Sequence, residues 1–207
     1  MLHDTLWREN EESAAACLRH PFVRGLAEGS LDSAIFRRYV AQDAFFLHAF
    51  ARAYALAAAR SRDAETLSAF CELLSGVWKE LQLHAAYSRE LKIDTARVVP
   101  NPATTAYTDF LLATGWHCEL GGIIAAMTPC MRLYGYLGGE LAKTPVIGNL
   151  YQEWITTYSS NDFGELVTRL ETLLDKLADD TTAVREAYGY AMQCELNFFS
   201  TVMEENL

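Results

Sequence analysis

The chain has 207 residues, enough to bury a sizeable core, and its 51% hydrophobic and 21% charged residues are typical of a folded globular protein. Its 27 acidic against 17 basic residues give a net charge of −10, which argues against a surface for nucleic acid or an anionic membrane. The five cysteines are widely spaced and form no CxxC pair, so a disulfide framework or a structural zinc site is not expected.

The N-terminus and the hydropathy pattern bear on where the protein acts. The segment Met1-Leu2-His3-Asp4 is not a basic stretch followed by an apolar run, so we expect no signal peptide. No stretch of about 18 uncharged apolar residues occurs, so we expect no membrane span. Together with reduced cysteines, these features favour a cytoplasmic protein.

Helical periodicity runs through the whole chain. In chain order, segments with a helical pattern cover about 4–18, 21–29, 32–60, 63–91, a stretch from 107, then 116–141, 145–158, 162–177 and 182–204. The segment 92–103 contains two prolines and is expected to be an extended connection. Strand-like alternation and hairpin signals are missing. The sequence therefore predicts an all-α bundle of seven to eight helices, with residues 1–207 forming a single domain.

One predicted helix carries a carboxylate within an apolar stripe. Tyr39, Asp43, Phe46 and Phe50 are spaced at offsets of 0, 4, 7 and 11, so they share one face. Burying a carboxylate is costly unless it has a partner. Asp43 is therefore either a member of a buried salt bridge or a functional group, and the same alternatives hold for Glu195 near the C-terminus.

A proline lies in the middle of the predicted helix 116–141, within Thr128-Pro129-Cys130. Because proline lacks an N–H group and clashes with the carbonyl four residues back, it predicts a kink or a restart of the helix. Cys130 would then stand at a helix start, where unpaired N–H groups and the helix dipole lower the pKa of a thiol. Tyr134 would follow one turn later on the same face. The alternative is an inert, buried cysteine.

These groups together favour one pocket. A nucleophilic thiol, a carboxylate that moves protons and further hydrogen-bonding groups are the parts that covalent hydrolysis needs. Tyr107 and Tyr158 could contribute hydroxyl groups to it, although a tyrosine on an apolar face is commonly a core residue with its hydroxyl paired.

Several segments match a known family in order and spacing, and the match covers nearly the whole chain. They are His20-Pro21-Phe22, Gln42-Asp43-Ala44-Phe45-Phe46, Thr128-Pro129-Cys130, Glu153-Trp154-Ile155 and Glu195-Leu196-Asn197-Phe198-Phe199. The sequence resembles the TenA/thiaminase II family of thiamin salvage. The resemblance implies a heme-oxygenase-like fold and hydrolysis of 4-amino-5-aminomethyl-2-methylpyrimidine to 4-amino-5-hydroxymethyl-2-methylpyrimidine, with thiamin as a further candidate substrate.

The resemblance also implies catalytic and polar roles. Cys130 matches the nucleophile, Glu195 matches the carboxylate that handles protons at the pyrimidine ring, and Asp43 matches the acid that holds the exocyclic amine and the adjacent ring nitrogen. Neither a metal nor an organic cofactor is implied. The only partner implied besides the small-molecule substrate is further copies of the chain, as a homotetramer.

Aromatic residues complete the implied site. Tyr107, Tyr134 and Tyr158 match groups that line the pocket. Phe46 stands at a position that is tyrosine in some relatives, and it therefore lacks one hydroxyl group that those relatives have.

Two other interpretations stay open. The same scaffold supports diiron oxidases, and Glu80 and His84 lie four residues apart on one predicted helix. Such a centre needs about six ligands from facing helices, and no second pair is visible on a late helix. The third interpretation is a regulatory protein that binds a pyrimidine without turning it over, which intact Cys130 and Glu195 argue against.

Overall fold

The computed structural model describes residues 1–90 and 92–204, without the side chains of residues 83, 84, 86, 90 and 96. Over these residues the chain is helical and contains no strand, so the all-α prediction is confirmed. The elements are α1 (Leu2–Glu9), α2 (Glu11–Arg19), α3 (Pro21–Glu28), α4 (Ser33–Arg60), α5 (Ala64–Glu90), a 3₁₀ helix (Thr95–Arg97), α6 (Pro102–His117), α7 (Leu120–Ala142), α8 (Gln152–Tyr158), α9 (Asn161–Leu177) and α10 (Thr182–Met203).

The described residues thus form ten α-helices, where the sequence predicted seven to eight. The first predicted helix, 4–18, is divided at Asn10. This residue leaves helical geometry, with φ −113° and ψ 12°. Its side-chain Nδ2 donates to the Leu6 carbonyl oxygen at 2.9 Å and so satisfies a terminal carbonyl of α1. Local side-chain bonding by an asparagine therefore explains the extra helix boundary.

Several helix ends lie where the sequence predicts them. Pro21 opens α3, and Gly29 ends it with φ 68°, the left-handed geometry that favours glycine. Asp32 caps α4, because its Oδ1 accepts a hydrogen bond from the Ala34 backbone N–H at 2.7 Å. These local signals define the first residue of the long helix that carries Asp43.

Pro129 lies inside α7, which is continuous from Leu120 to Ala142. The predicted restart of the helix at this proline is therefore wrong, and Cys130 lies in the middle of a helix. Proline leaves the carbonyl of Ala125 without its usual helical donor. Tertiary packing outweighs that loss, since every residue from 123 to 131 is buried among neighbouring helices.

The central helices hold the core. Helix α4 packs along α5 and α6, and α7 packs along α8, α9 and α10. Gly138 lets α7 and α8 approach closely, because a Cβ atom there would lie 2.5 Å from the carbonyl carbon of Tyr158. The backbone of Tyr158 is thereby fixed against α7, one side of which carries Cys130. Among the described residues, no helix has both the length and the apolar character that crossing a membrane requires.

Candidate active site

The Cys130 thiol lies in the core on α7, where 9% of the residue is exposed. Its S–H group hydrogen bonds to the carboxylate of Glu195. Burial raises the pKa of the thiol well above its usual value, and the negative charges of Glu195, Glu80 and Asp43 raise it further. The expected lowering of this pKa is therefore wrong, because Cys130 is buried within α7, away from a helix start, and the carboxylate charges act in the same direction as burial.

Glu195 on α10 is the hydrogen-bonding partner of the thiol, and only 2% of it is exposed. The Tyr107 hydroxyl donates to Glu195 Oε1 at 2.7 Å. Burial raises the pKa of Glu195 from 4.5 to about 8, and the charge of Asp43 adds to the rise against the opposing effect of the two hydrogen bonds. Near neutral pH this carboxyl group can therefore both accept and donate a proton.

Asp43 on α4 contributes a second carboxyl group to the same region, with 3% exposed. Burial is the main cause of the raised pKa values of Cys130, Glu195 and Tyr134, and in each case the charge of Asp43 adds to it. The structure therefore brings Asp43, Cys130 and Glu195 together from three helices that are distant in sequence.

The predicted aromatic residues lie around these three groups. The Phe46 ring packs against the Tyr107 ring with centroids 4.8 Å apart. The Tyr134 ring meets the edge of the Tyr158 ring, also at 4.8 Å between centroids. All four side chains are buried. Every residue that the sequence nominated for the site is thus found in one region of the core.

Two aromatic residues that sequence reasoning did not nominate support this wall. The Tyr39 hydroxyl donates to the Tyr134 hydroxyl oxygen at 3.4 Å, and Trp154 Nε1–H donates to the Tyr39 hydroxyl oxygen at 3.2 Å. This chain of hydrogen bonds fixes the orientation of Tyr134. Tyr39 shares the α4 stripe with Asp43, so the helical spacing could have identified it.

Glu80 on α5 is a further member of the site, and sequence reasoning considered it only as a metal ligand with His84. The Tyr158 hydroxyl donates to Glu80 Oε1 at 2.5 Å. The side chain of His84 lies outside the described residues. Glu80 follows the buried Leu73 and Val77 at helical spacing. A carboxylate in line with apolar residues was therefore the feature of the sequence that could have identified it.

An open groove of about 1590 Å³ lies between α5, α7 and α9. Glu80, Tyr158 and Met131 are among its lining residues, whereas Asp43, Cys130 and Glu195 are not part of its wall. The groove therefore borders the site at the Glu80–Tyr158 pair.

Comparison with known proteins shows the family of the chain. The model of the TENA/THI-4/PQQC family matches residues 7–205. The chain belongs to the TENA/THI-4/PQQC family. The match includes every residue of the site described above.

Individual relatives give the extent of the similarity. An aminopyrimidine aminohydrolase of Halalkalibacterium halodurans is 32% identical over 208 residues, which cover 98% of this chain and 91% of that protein. The mitochondrial bifunctional TH2 protein of Arabidopsis thaliana is 34% identical over 94% of this chain, but the aligned part is 36% of that longer protein. A solved structure from a Silicibacter species, described as a TenA family transcription regulator, superimposes with a TM-score of 0.92 at 27% identity and covers 98% of this chain and 96% of its own.

A more distant structure confirms the predicted fold. Heme oxygenase-1 of the cyanobacterium Synechocystis superimposes with a TM-score of 0.63 at 16% identity, covering 96% of this chain and 90% of its own. At that identity the likeness concerns the fold alone, and it shows that this family member has the heme-oxygenase-like fold.

Proposed function

We propose that this protein is an aminopyrimidine aminohydrolase of thiamin salvage. In this reaction water replaces the amino group on the methylene substituent of a 4-aminopyrimidine. The observation that carries the proposal is the Cys130–Glu195–Tyr107 arrangement: a buried thiol hydrogen bonded to a carboxyl group whose pKa is about 8 and whose position a tyrosine holds. The name of the H. halodurans relative, aminopyrimidine aminohydrolase, supports it.

The first step moves one proton and forms one bond. The Cys130 S–H proton passes to the Glu195 carboxylate along their hydrogen bond, which produces the nucleophilic thiolate. Sulfur then adds to a carbon of the pyrimidine ring, and Glu195 gives the same proton to a ring nitrogen. A group with a pKa of about 8 suits both halves of this transfer.

The second step exchanges the substituent. The electron-rich ring expels the amine from the methylene carbon, and the C–N electron pair leaves with nitrogen. Because the substituent nitrogen is protonated, it leaves as ammonia. The oxygen of water bonds to the methylene carbon, and its extra proton is taken up by the released ammonia. The ring nitrogen then returns its proton to Glu195, and the thiolate departs as the aromatic ring is restored. A thiolate suits this sequence because it both attacks and leaves readily.

Asp43 and the aromatic wall hold the substrate. A carboxylate at Asp43 can accept hydrogen bonds from the exocyclic amine, while a flat heterocycle fits between rings such as Phe46 and Tyr134. Phe46 supplies a surface without a hydroxyl group, so the hydrogen bonds to the ring come from other residues.

The two alternative functions are less well supported. A diiron oxidase would need about six ligands from facing helices. Among the described residues, which do not include the His84 side chain, no three His, Cys, Asp or Glu side chains are grouped as metal ligands. A pyrimidine-binding regulator would have no use for the thiol–carboxyl pair of Cys130 and Glu195, and the relatives named as hydrolases favour the enzyme.

Organisation and location are part of the same proposal. We expect residues 1–207 to act as one domain, since the family match spans 7–205. We expect a homotetramer, and the exposed Trp78, Ile147 and Leu150 provide apolar surface for subunit contacts. All five cysteines are free, which suits the cytoplasm.

The test is turnover of 4-amino-5-aminomethyl-2-methylpyrimidine, followed as the hydroxymethyl product by chromatography. We expect Cys130→Ser to abolish turnover and Glu195→Gln to lower kcat by about 10²- to 10⁴-fold, the usual contribution of a proton-transferring group. Cys71→Ser, which changes an exposed thiol, should leave the rate unchanged. Wild-type rates in Cys130→Ser would overturn the proposal.

A further inference from the structure

The site contains two tyrosine–carboxylate pairs. Tyr107 donates to Glu195 at 2.7 Å from oxygen to oxygen, and Tyr158 donates to Glu80 at 2.5 Å. The proposed reaction uses the first pair for the thiol and the ring nitrogen. It assigns no chemistry to the second pair, although the charge of Glu80 acts on the same sulfur.

The two pairs differ in their access to the outside. Glu195 and Tyr107 are almost fully buried, at 2% and 1% exposure. Glu80 is partly buried, and it lines the groove between α5, α7 and α9 together with Tyr158. A group that leaves the substrate and a water molecule that replaces it must both pass through such an opening.

The substrate and Glu80 have opposite charges. The substituent nitrogen of an aminomethylpyrimidine is a primary amine that carries a proton near neutral pH, so the bound substrate presents an ammonium group. A carboxylate has two oxygen atoms and about four lone-pair sites, so a hydrogen bond from tyrosine does not prevent it from binding an N–H donor as well. The proposed function assigns Asp43 and Glu195 to the ring, so Glu80, which lines the groove, is the carboxylate available to meet the ammonium group.

We propose that Glu80, oriented by Tyr158, binds the cationic leaving group of the substrate and then accepts the proton of the attacking water. This assignment rests on the proposed function and adds a substrate preference to it: the site selects a charged amine over an uncharged substituent at the same position. Tyr158 is a positioning residue, and the contact of its backbone with Gly138 holds it in place.

Ammonia leaves and water adds at the same methylene carbon. The C–N bond breaks and its electron pair leaves with nitrogen, so the ammonium group departs as ammonia while the ring supplies the electrons of an exocyclic double bond. The oxygen of water bonds to the methylene carbon, its proton passes to Glu80, and the double-bond electrons return to the ring. Glu80 then gives the proton to ammonia, which leaves through the groove as ammonium.

The experiment compares two substrates in each variant. One is the aminomethylpyrimidine, and the other is its N-formylaminomethyl analogue, whose substituent nitrogen is uncharged. We expect Glu80→Gln to lower the ratio of their kcat/KM values, amine over formylamine, by about 10- to 100-fold, the size of a lost charge-assisted hydrogen bond. Glu165→Gln, which removes an exposed carboxylate of the same groove, should leave the ratio unchanged.

Tyr158→Phe keeps the carboxylate and removes only its orienting donor, so the ratio should fall in the same direction by a smaller factor. If Glu80→Gln does not fold, Tyr158→Phe still tests whether Glu80 binds the charged amine. An equal loss of activity toward both substrates in both variants would overturn the assignment, because damage to the fold does not distinguish charged from uncharged substituents. Cys130→Ser in the same assay separates the two proposals. Full activity of Cys130→Ser would refute the proposed hydrolase function. An inactive Cys130→Ser together with an unchanged substrate ratio in Glu80→Gln would refute only the role of Glu80.

Discussion

Replacing Glu195 by glutamine should make the protein more stable as it makes it less active. The pKa of this buried carboxyl group rises from 4.5 to about 8 on folding, so the folded state holds the proton more tightly than the unfolded state does. The contribution of Glu195 to the free energy of unfolding is therefore fully present below pH 4.5 and is lost as the pH rises toward 8. Each pKa unit corresponds to about 1.4 kcal/mol, which gives a loss of about 5 kcal/mol once both states are ionised.

Glutamine has nearly the same shape and does not titrate. Its Oε1 can still accept the hydrogen bond from Tyr107, so the variant keeps the main contact of the wild-type side chain. We expect Glu195→Gln to match the wild type within about 1 kcal/mol at pH 5 and to exceed it by about 4 kcal/mol at pH 9. Buried polar groups retained for chemistry commonly carry such a cost.

Urea denaturation followed by circular dichroism at pH 5, 6, 7, 8 and 9 measures this difference. Glu186→Gln, which changes an exposed glutamate of the same helix, is the matched control and should follow the wild type throughout. Parallel stability curves for Glu195→Gln and the wild type across that range would refute the argument, since the group would then have the same pKa folded and unfolded.

Two further predictions concern the proton and the helix contact. With the uncharged N-formylaminomethyl substrate, kcat/KM should rise with pH through about 8, as Glu195 becomes able to accept the thiol proton. In Tyr107→Phe this rise should move to higher pH, because the hydrogen bond from Tyr107 lowers the pKa of Glu195. The same pH profile in both proteins would count against Glu195 as the group that accepts the thiol proton. Gly138→Ala should lower the melting temperature by overpacking against Tyr158, at a cost of about 1–3 kcal/mol. Gly139→Ala, where nothing lies within 4 Å of the added Cβ, should instead stabilise the helix by about 0.5–1 kcal/mol, and equal melting temperatures for the two variants would contradict the close approach.

Local signals were sufficient for much of the fold. The caps at Asp32 and Gly29 and the helical spacing of Tyr39, Asp43 and Phe46 act within a few residues, so they can be read directly. The division at Asn10 was missed because its side chain bonds to a carbonyl four residues back, an alternative that the pattern of apolar residues does not reveal.

The behaviour of Pro129 and Cys130 could not be predicted in the same way. A proline predicts a break from local sterics, whereas the continuity of α7 depends on neighbours from other helices that bury residues 123 to 131. The pKa of Cys130 is raised mainly by burial among other helices and further by the charges of carboxylates on α4, α5 and α10, none of which the local sequence shows.

The order of residues along the chain was enough to predict its helical class, its likeness to the TenA-like proteins, and the thiol, carboxylates and aromatic rings that are candidates for a site. The hydrogen bond between Tyr158 and Glu80 and the raised pKa of the Cys130 thiol appear only in the folded chain. Helix formation and capping act over one or two turns, whereas burial and the interaction between charges depend on distances between segments far apart in the chain.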